Sequence, residues 1–194
     1  MGTSLGWRPD RSEVDSDRNE FSKGPVSGPF CYPRFMLPGL VFDDNDRLFM
    51  AEAIVEAEAA ALRGEVPVGA VVTRGNKIIA RSGNRRQEDS DPAAHAEVIV
   101  LREAGREVSD WRLSECTLYV TLEPCPMCAA ACREARLQLV IWGAEDERAG
   151  AFGSVIDLAD DPRLGPPLAH RGGLEADRCR ELLRLFFAKQ RQSS

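Results

Sequence analysis

Histidine is almost absent from this chain, with two among 194 residues. No uninterrupted apolar run approaches the length of a membrane span, so no transmembrane helix is expected. The N-terminus has no basic segment leading into an apolar core; no secretory signal is read there, and the expected address is the cytoplasm. Basic charge is not in excess either, since 25 Lys and Arg face 31 Asp and Glu for a net charge of −6. That balance argues against a general nucleic-acid binder, which needs a basic face to neutralise phosphates. Local basic clusters remain: Arg81, Arg85 and Arg86 in mid-chain, and Arg178, Arg180, Arg184, Lys189 and Arg191 around the lone Glu181 near the end. Ordinary solvated helix faces account for clusters of this kind. A disulfide framework is missing as well, because Cys31, Cys116, Cys132 and Cys179 are scattered, which fits reduced thiols.

The hydrophobic share of 43% is that of an ordinary globular chain, and the length suits one domain with a tail. Residues 1–42 are rich in Pro, Gly, Ser and charge without sustained periodicity, and are expected to be a disordered N-terminal extension. Its aromatic patch of Phe30, Tyr32 and Phe35 is available to dock on the domain or on a partner. Residues 43–194 are expected to form the domain.

Within it, Asp43 to Asp46 offer N-cap oxygens for a helix to about Arg63, with Leu48, Ala51, Ile54, Val55 and Leu62 on its apolar face and Gly64 as its stop. Val68 to Arg74 and Lys77 to Ser82 read as a hairpin turning at Gly75-Asn76. Asp91-Pro92 is read as the N-cap and first-turn proline of a helix to about Glu107. Thr117 to Leu122 reads as a buried strand, after which Pro124 opens a helix. Another strand is expected over Gln138 to Trp142, followed by a Gly- and Ala-rich turn, a short helical piece near Ile156 and a Pro-rich loop. The last helix, about Leu174 to Gln190, sets Leu182, Leu183, Phe186 and Phe187 at core-facing spacing. Strands alternating with helices imply a three-layer α/β/α fold on a mixed sheet.

Chemistry concentrates between Asp91 and Cys132. His95-Ala96-Glu97 precedes Pro124-Cys125-Pro126-Met127-Cys128, and His95, Cys125 and Cys128 make a zinc-type set of three ligands. Three protein ligands leave a fourth position for water, whose pKa zinc lowers to roughly 7, and Glu97 stands where a carboxylate can take that proton and return it. Taken singly, a Cys-x-x-Cys could be a redox pair or half of a structural knuckle, and a lone histidine is more often packed than ligating. Their conjunction in a chain with two histidines favours a catalytic metal. Cys132, one turn beyond Cys128, is carried away from the site by the helix and is assigned to the core. Asn84, after the second strand, could contact a substrate or simply form a turn. The combination of His-x-Glu with a later Pro-Cys-x-x-Cys is the established signature of zinc nucleobase deaminases.

From about Leu48 to Arg191 the chain resembles the bacterial tRNA-specific adenosine deaminases of the cytidine deaminase-like superfamily. The likeness is carried by residues 65–71, 91–97, 117–125 and 176–179 as well as by the metal residues. It implies a cytidine deaminase-like fold and a homodimer with one Zn2+ per subunit, converting adenosine to inosine at the wobble position of a tRNA anticodon loop. His95, Cys125 and Cys128 would bind the metal and Glu97 would move the proton. Asn84 would hold the base, with Val68 also at the substrate, and the Ala96 N–H would face the hydrated intermediate. Asp146 and Phe187 match positions that the family uses around the anticodon loop. Two departures stand out. Asp161 to Leu168 replaces the usual Asn-His-Arg-like segment, and Cys132-Arg133-Glu134 replaces small residues. The first keeps open a deaminase of a free base, nucleoside or small metabolite such as guanine or cytosine; a third reading, a non-catalytic RNA-binding or deaminase-partner subunit with structural zinc, would have little reason to retain Glu97.

Overall fold

The computed structural model describes residues 41–193. Most of the N-terminal extension, including Cys31 and the Phe30, Tyr32 and Phe35 patch, lies outside the described residues. The first helix, α1, spans Asp44–Leu62 and begins with a capping box: Asp46 N–H donates to Asp43 Oδ1 at 2.8 Å, and Asp43 N–H donates to Asp46 Oδ2 at 3.1 Å. It is followed by Arg63 and by Gly64 at φ +83°. Its buried line is Met50, Ala53, Ile54, Ala57 and Ala60, a shift of face from the sequence expectation. Leu48, Val55 and Leu62 are exposed instead. Close approach is the reason. A Cβ at Gly69 would strike the Ala53 carbonyl oxygen and the Ala57 nitrogen, so the backbones meet and only alanine-sized side chains fit along that line.

Strands β1 (Gly69–Arg74) and β2 (Lys77–Gly83) form the expected hairpin, with Gly75 at φ +56° in its turn. β3 (Cys116–Leu122) pairs antiparallel with β1, and β4 (Leu139–Ala144) pairs parallel with β3. A two-residue strand that the sequence did not announce, β5 (His170–Arg171), pairs parallel with β4. The sheet order is therefore β2-β1-β3-β4-β5, and the sheet is mixed.

Alternation along the strands sorts two cores. Val71, Tyr119 and Ile141 face α1 and the last helix, α4 (Ala176–Ser193), while Ala70, Val72, Leu118, Val120, Val140 and Trp142 face the other side. There they meet Ala96, Val100, Leu101 and Ala104 of α2 (Ala96–Val108) and Ala129 and Cys132 of α3 (Pro126–Glu134). This is a three-layer α/β/α sandwich, and Cys132 is a core residue at 0% exposure.

Four local expectations are corrected. Helix α2 starts at Ala96, because Asp91 forms a closed turn of its own: its Oδ1 accepts from Ala93 N–H at 2.8 Å and its carbonyl from Ala94 N–H at 3.2 Å. Helix α3 starts at Pro126, with Pro124 still in the preceding segment. No helix forms near Ile156 because its neighbours' N–H groups are engaged elsewhere: Phe152 and Ser154 donate to Glu123, and Val155 and Ile156 donate to the Gly150 carbonyl. A short 3₁₀ turn occurs instead at Pro162–Leu164. Finally, α4 buries Cys179 against the sheet and packs Leu182 on the same core, but Leu185 and Phe187 are exposed, since only its first turns meet β4.

Candidate active site

Two helix N-termini supply the metal-type donors. His95 is the N-cap residue of α2, in extended backbone (φ −75°, ψ 147°), and its ring makes no capping bond and remains free to ligate. Cys125 is the N-cap of α3, Pro126 follows as its first residue, and Cys128 lies one turn in. The positive ends of both helix dipoles thus face the donors and favour thiolate.

His95 Nδ1 is 3.4 Å from Cys128 Sγ and 3.7 Å from Cys125 Sγ, and the two sulfurs are 3.6 Å apart. Zinc–sulfur bonds of about 2.3 Å and zinc–nitrogen bonds of about 2.0–2.1 Å would set tetrahedral edges of roughly 3.5–3.8 Å. The triangle fits one face of such a tetrahedron, and its soft donor set suits zinc. The three are also the one His, Cys, Asp and Glu cluster among the described residues with donor atoms within 4.8 Å of one another.

Protonation follows from the crowding. A proton shared between the sulfurs, with His95 beside them, holds Cys125 down at about 4, while the same sharing together with burial pushes Cys128 up. His95 is raised, chiefly by its hydrogen bond to Cys125. Three donors this close compete for protons, and a dication settles the competition by replacing them.

Glu97, in the first turn of α2, is 4% exposed, and its Oε2 has no hydrogen-bond partner. Burial raises its pKa above the usual carboxylate value. A buried carboxylate oxygen left unpaired beside a metal-type cluster is the reverse of a structural carboxylate, which finds donors. It is free to take a proton.

Asn84 and Ala96 are joined to each other. Asn84 Oδ1 accepts the Ala96 N–H at 2.9 Å, and the Asn84 N–H donates to the Val68 carbonyl at 2.9 Å. The N–H that the resemblance aims at an intermediate is therefore engaged by Asn84, which ties the end of β2 to the start of α2. Asp146 organises a turn: its Oδ1 accepts from Arg148 and Ala149 N–H, and its carbonyl from Gly150 N–H. Phe187 lies on α4, in the layer across the sheet, edge-on to Phe186 at 5.4 Å, and no ring contact or hydrogen bond among the described residues joins it to the metal cluster.

Sequence reasoning gave no anchoring role to three residues that hold loops of this domain. Glu123 Oε1 accepts from Phe152 N–H at 2.9 Å and Ser154 N–H at 3.1 Å, and its Oε2 accepts from Asp146 N–H at 3.1 Å. A Cβ at Gly150 would collide with that carboxylate, so glycine is required there. Glu65 Oε1 accepts from Gln87 and Glu88 N–H at 2.7 and 2.9 Å. Arg133 donates to the carbonyls of Ala159, Leu164 and Pro166 at 2.6–3.0 Å, so the two departures noted in the sequence are in contact. The available signal was an acid beside proline at the edge of an apolar run, as in Glu123-Pro124 and Glu65-Val66-Pro67.

Residues 43–144 match the cytidine and deoxycytidylate deaminase zinc-binding region. The chain belongs to that deaminase family. Its centre is accordingly a zinc centre, and the enzyme is a hydrolytic deaminase. Over 148 residues the deaminase chain is 42% identical to a tRNA-specific adenosine deaminase of Bacillus subtilis (strain 168), covering 76% of this chain and 92% of that one. It is 44% identical over 159 residues to the chloroplastic tRNA(adenine(34)) deaminase of Arabidopsis thaliana, covering 73% of this chain but spanning only 12% of that relative's length. Among solved structures, a chain from studies of A-to-I editing by tRNA:A34 deaminases superposes with a TM-score of 0.68 at 43% identity, covering 70% of this chain and 99% of that one. A guanine deaminase from Nitrosomonas europaea, at 21% identity and a TM-score of 0.62 over 86% of this chain and all of that one, shares the fold.

Proposed function

We propose that this chain converts adenosine to inosine at the wobble position of tRNA, and that residues 43–194 are its deaminase domain. The observation that carries the reading is the unpaired Glu97 Oε2 beside the His95, Cys125 and Cys128 triangle. The substrate is taken from the likeness to the Bacillus subtilis relative, which extends over nearly that whole enzyme. His95, Cys125 and Cys128 would hold the zinc, which when bound would supply the Lewis acidity that makes a hydrolytic nucleophile available near neutral pH. Glu97 Oε2 takes one proton from the attacking water and delivers it to the purine ring nitrogen as the C6–O bond forms, then carries the second, from the new C6 hydroxyl, to the amine as the C6–N bond breaks and ammonia leaves. Asn84 holds the α2 N-terminus in place through the Ala96 N–H, and its amide nitrogen is left to meet the base. Val68 fixes Asn84 from the other side. Asp146, held by Glu123, shapes the 146–154 loop toward the anticodon loop, and Phe187 on α4 extends the contact with RNA.

The chain works in this reading as a cytoplasmic homodimer. A hollow of about 760 Å³ between α2 and α3, lined by Val98, Leu101, Ala131 and the half-exposed Trp111, supports a second copy there. No helix among the described residues is long and apolar enough to cross a membrane.

The deciding experiment sets zinc-loaded protein against a wobble-adenosine anticodon stem-loop in one reaction and a panel of free bases and nucleosides in another, with products read by mass. Inosine in the RNA is the expected result. Turnover confined to the small molecules would keep the chemistry and overturn the substrate; light scattering tests the dimer.

A further inference from the structure

The loop that carries Arg86 lies alongside the metal ligand. On one side of His95, the Arg85 N–H donates to the Ala94 carbonyl at 3.0 Å; on the other, Asn84 Oδ1 accepts the Ala96 N–H at 2.9 Å. The loop's backbone is fixed. Arg86 O accepts from Asp91 N–H at 3.2 Å, and Glu65 takes the N–H groups of Gln87 and Glu88.

The arginines of this loop and of β2 before it are not alike. Arg81 is paired with Glu52 at 2.7 Å, and Arg85 with Asp89 at 3.0 Å and Glu88 at 3.6 Å. Arg86 is exposed and has no carboxylate partner among the described residues. A protein with a net charge of −6 thus keeps an exposed guanidinium without a carboxylate partner on a hydrogen-bonded loop beside its reactive centre, with acids close by that engage its neighbours instead.

We propose that Arg86 binds a backbone phosphate next to the target nucleotide. This rests on the reading that the substrate is RNA. A guanidinium presents paired N–H groups that match phosphate oxygens, and an exposed arm on a fixed backbone reaches a backbone group without reading the base. A free nucleoside carries no such phosphate. Arg86 therefore favours a polynucleotide over its monomer on a chain whose net charge is −6.

The test is the salt dependence of KM for the wobble-adenosine stem-loop with wild type, Arg86→Gln, Arg86→Lys and Arg81→Gln, each checked for wild-type zinc content and melting temperature. In Arg86→Gln, KM is expected to rise several-fold at low salt with kcat unchanged, and the slope of log KM against log salt to fall by about 0.7, the contribution of one single-strand phosphate contact. Arg86→Lys keeps the charge and most of the slope, and Arg81→Gln behaves as wild type. If wild type converts the RNA but Arg86→Gln shows the wild-type slope and KM, the Arg86 assignment is overturned alone. If wild type leaves the RNA unconverted, the substrate reading falls and takes the assignment with it.

Discussion

Glu97 separates the two jobs of the centre, because its Oε2 is unpaired while the three ligands are clustered without it. Glu97→Ala is expected to lower turnover by about 10²–10⁴-fold, the usual range for a lost general acid–base group, with zinc content unchanged by elemental analysis. Activity equal to wild type would remove Glu97 from the proton path. Glu123 has the opposite character, with every bond satisfied. Glu123→Ala leaves three N–H groups without their acceptor at about 1–3 kcal/mol each, less whatever water recovers, so a loss of several kcal/mol is expected in urea unfolding. Faster proteolysis within residues 146–154 is expected alongside it; an unchanged urea midpoint would refute the anchoring role. The metal residues and Glu97 were legible in the sequence because their chemistry is written in short spacings, two residues for His95 and Glu97 and three for the cysteines. Glu123 and the Asn84–Ala96 link were not. Their partners are backbone N–H groups, 29 residues away for Phe152 and 12 for Ala96, and a backbone N–H has no sequence signature.

Helix boundaries show what propensity leaves undecided. Asp91-Pro92 and Pro124 both carry good helix-start residues, yet the helices begin later, where His95 and Cys125 take the N-cap positions. Local turn bonds to Asp91 won over propensity in the first case. The buried face of α1 was misread because hydrophobicity alone picks Leu48 and Val55, while close approach at Gly69 selects alanines. Strands β1 to β4 fared better, since each carries β-branched residues between turn signals, whereas β5 carries none. Helix α1 is also tied to the sheet by Tyr119, whose hydroxyl donates to Asp46 Oδ1 at 2.8 Å. Burial first, and then the carboxylates of Asp46 and Asp43, push the tyrosine pKa up. The protonated phenol is thus preferred by the fold, so its contribution is fully present below the unfolded value of about 10 and is lost as pH rises beyond it. Tyr119→Phe is expected to cost about 1 kcal/mol at neutral pH. It should also flatten the fall in stability above about pH 10, measured by denaturant titration at several pH values; parallel curves for the two proteins would contradict the link.

Across the whole molecule, the metal joins the starts of two helices that follow different strands. Without it, three donors at 3.4–3.7 Å would hold protons in competition. A metal free at a thousand times its Kd adds about 4 kcal/mol of stability. For a domain of this size that is roughly 8–16 °C in Tm. Chelation is expected to lower the melting temperature by that order and zinc to restore it; a melt insensitive to verified metal removal would show that the two helix starts are held by packing alone. The three-layer architecture was legible because period-2 and period-3.6 segments alternate. The two-residue β5 and the outward course of α4 depend on where the sheet ends, which no local pattern encodes. The anchoring carboxylates carry a consequence for descent. Glu65 and Glu123 grip their loops by main-chain N–H groups and never by side chains. Apart from Gly150, which a Cβ would drive into the Glu123 carboxylate, and Asp146, whose side chain closes the turn, a rim held that way leaves most of its side chains free to change. New specificities can be tried on it by substitution, one lineage after another, while the reaction beneath is inherited intact.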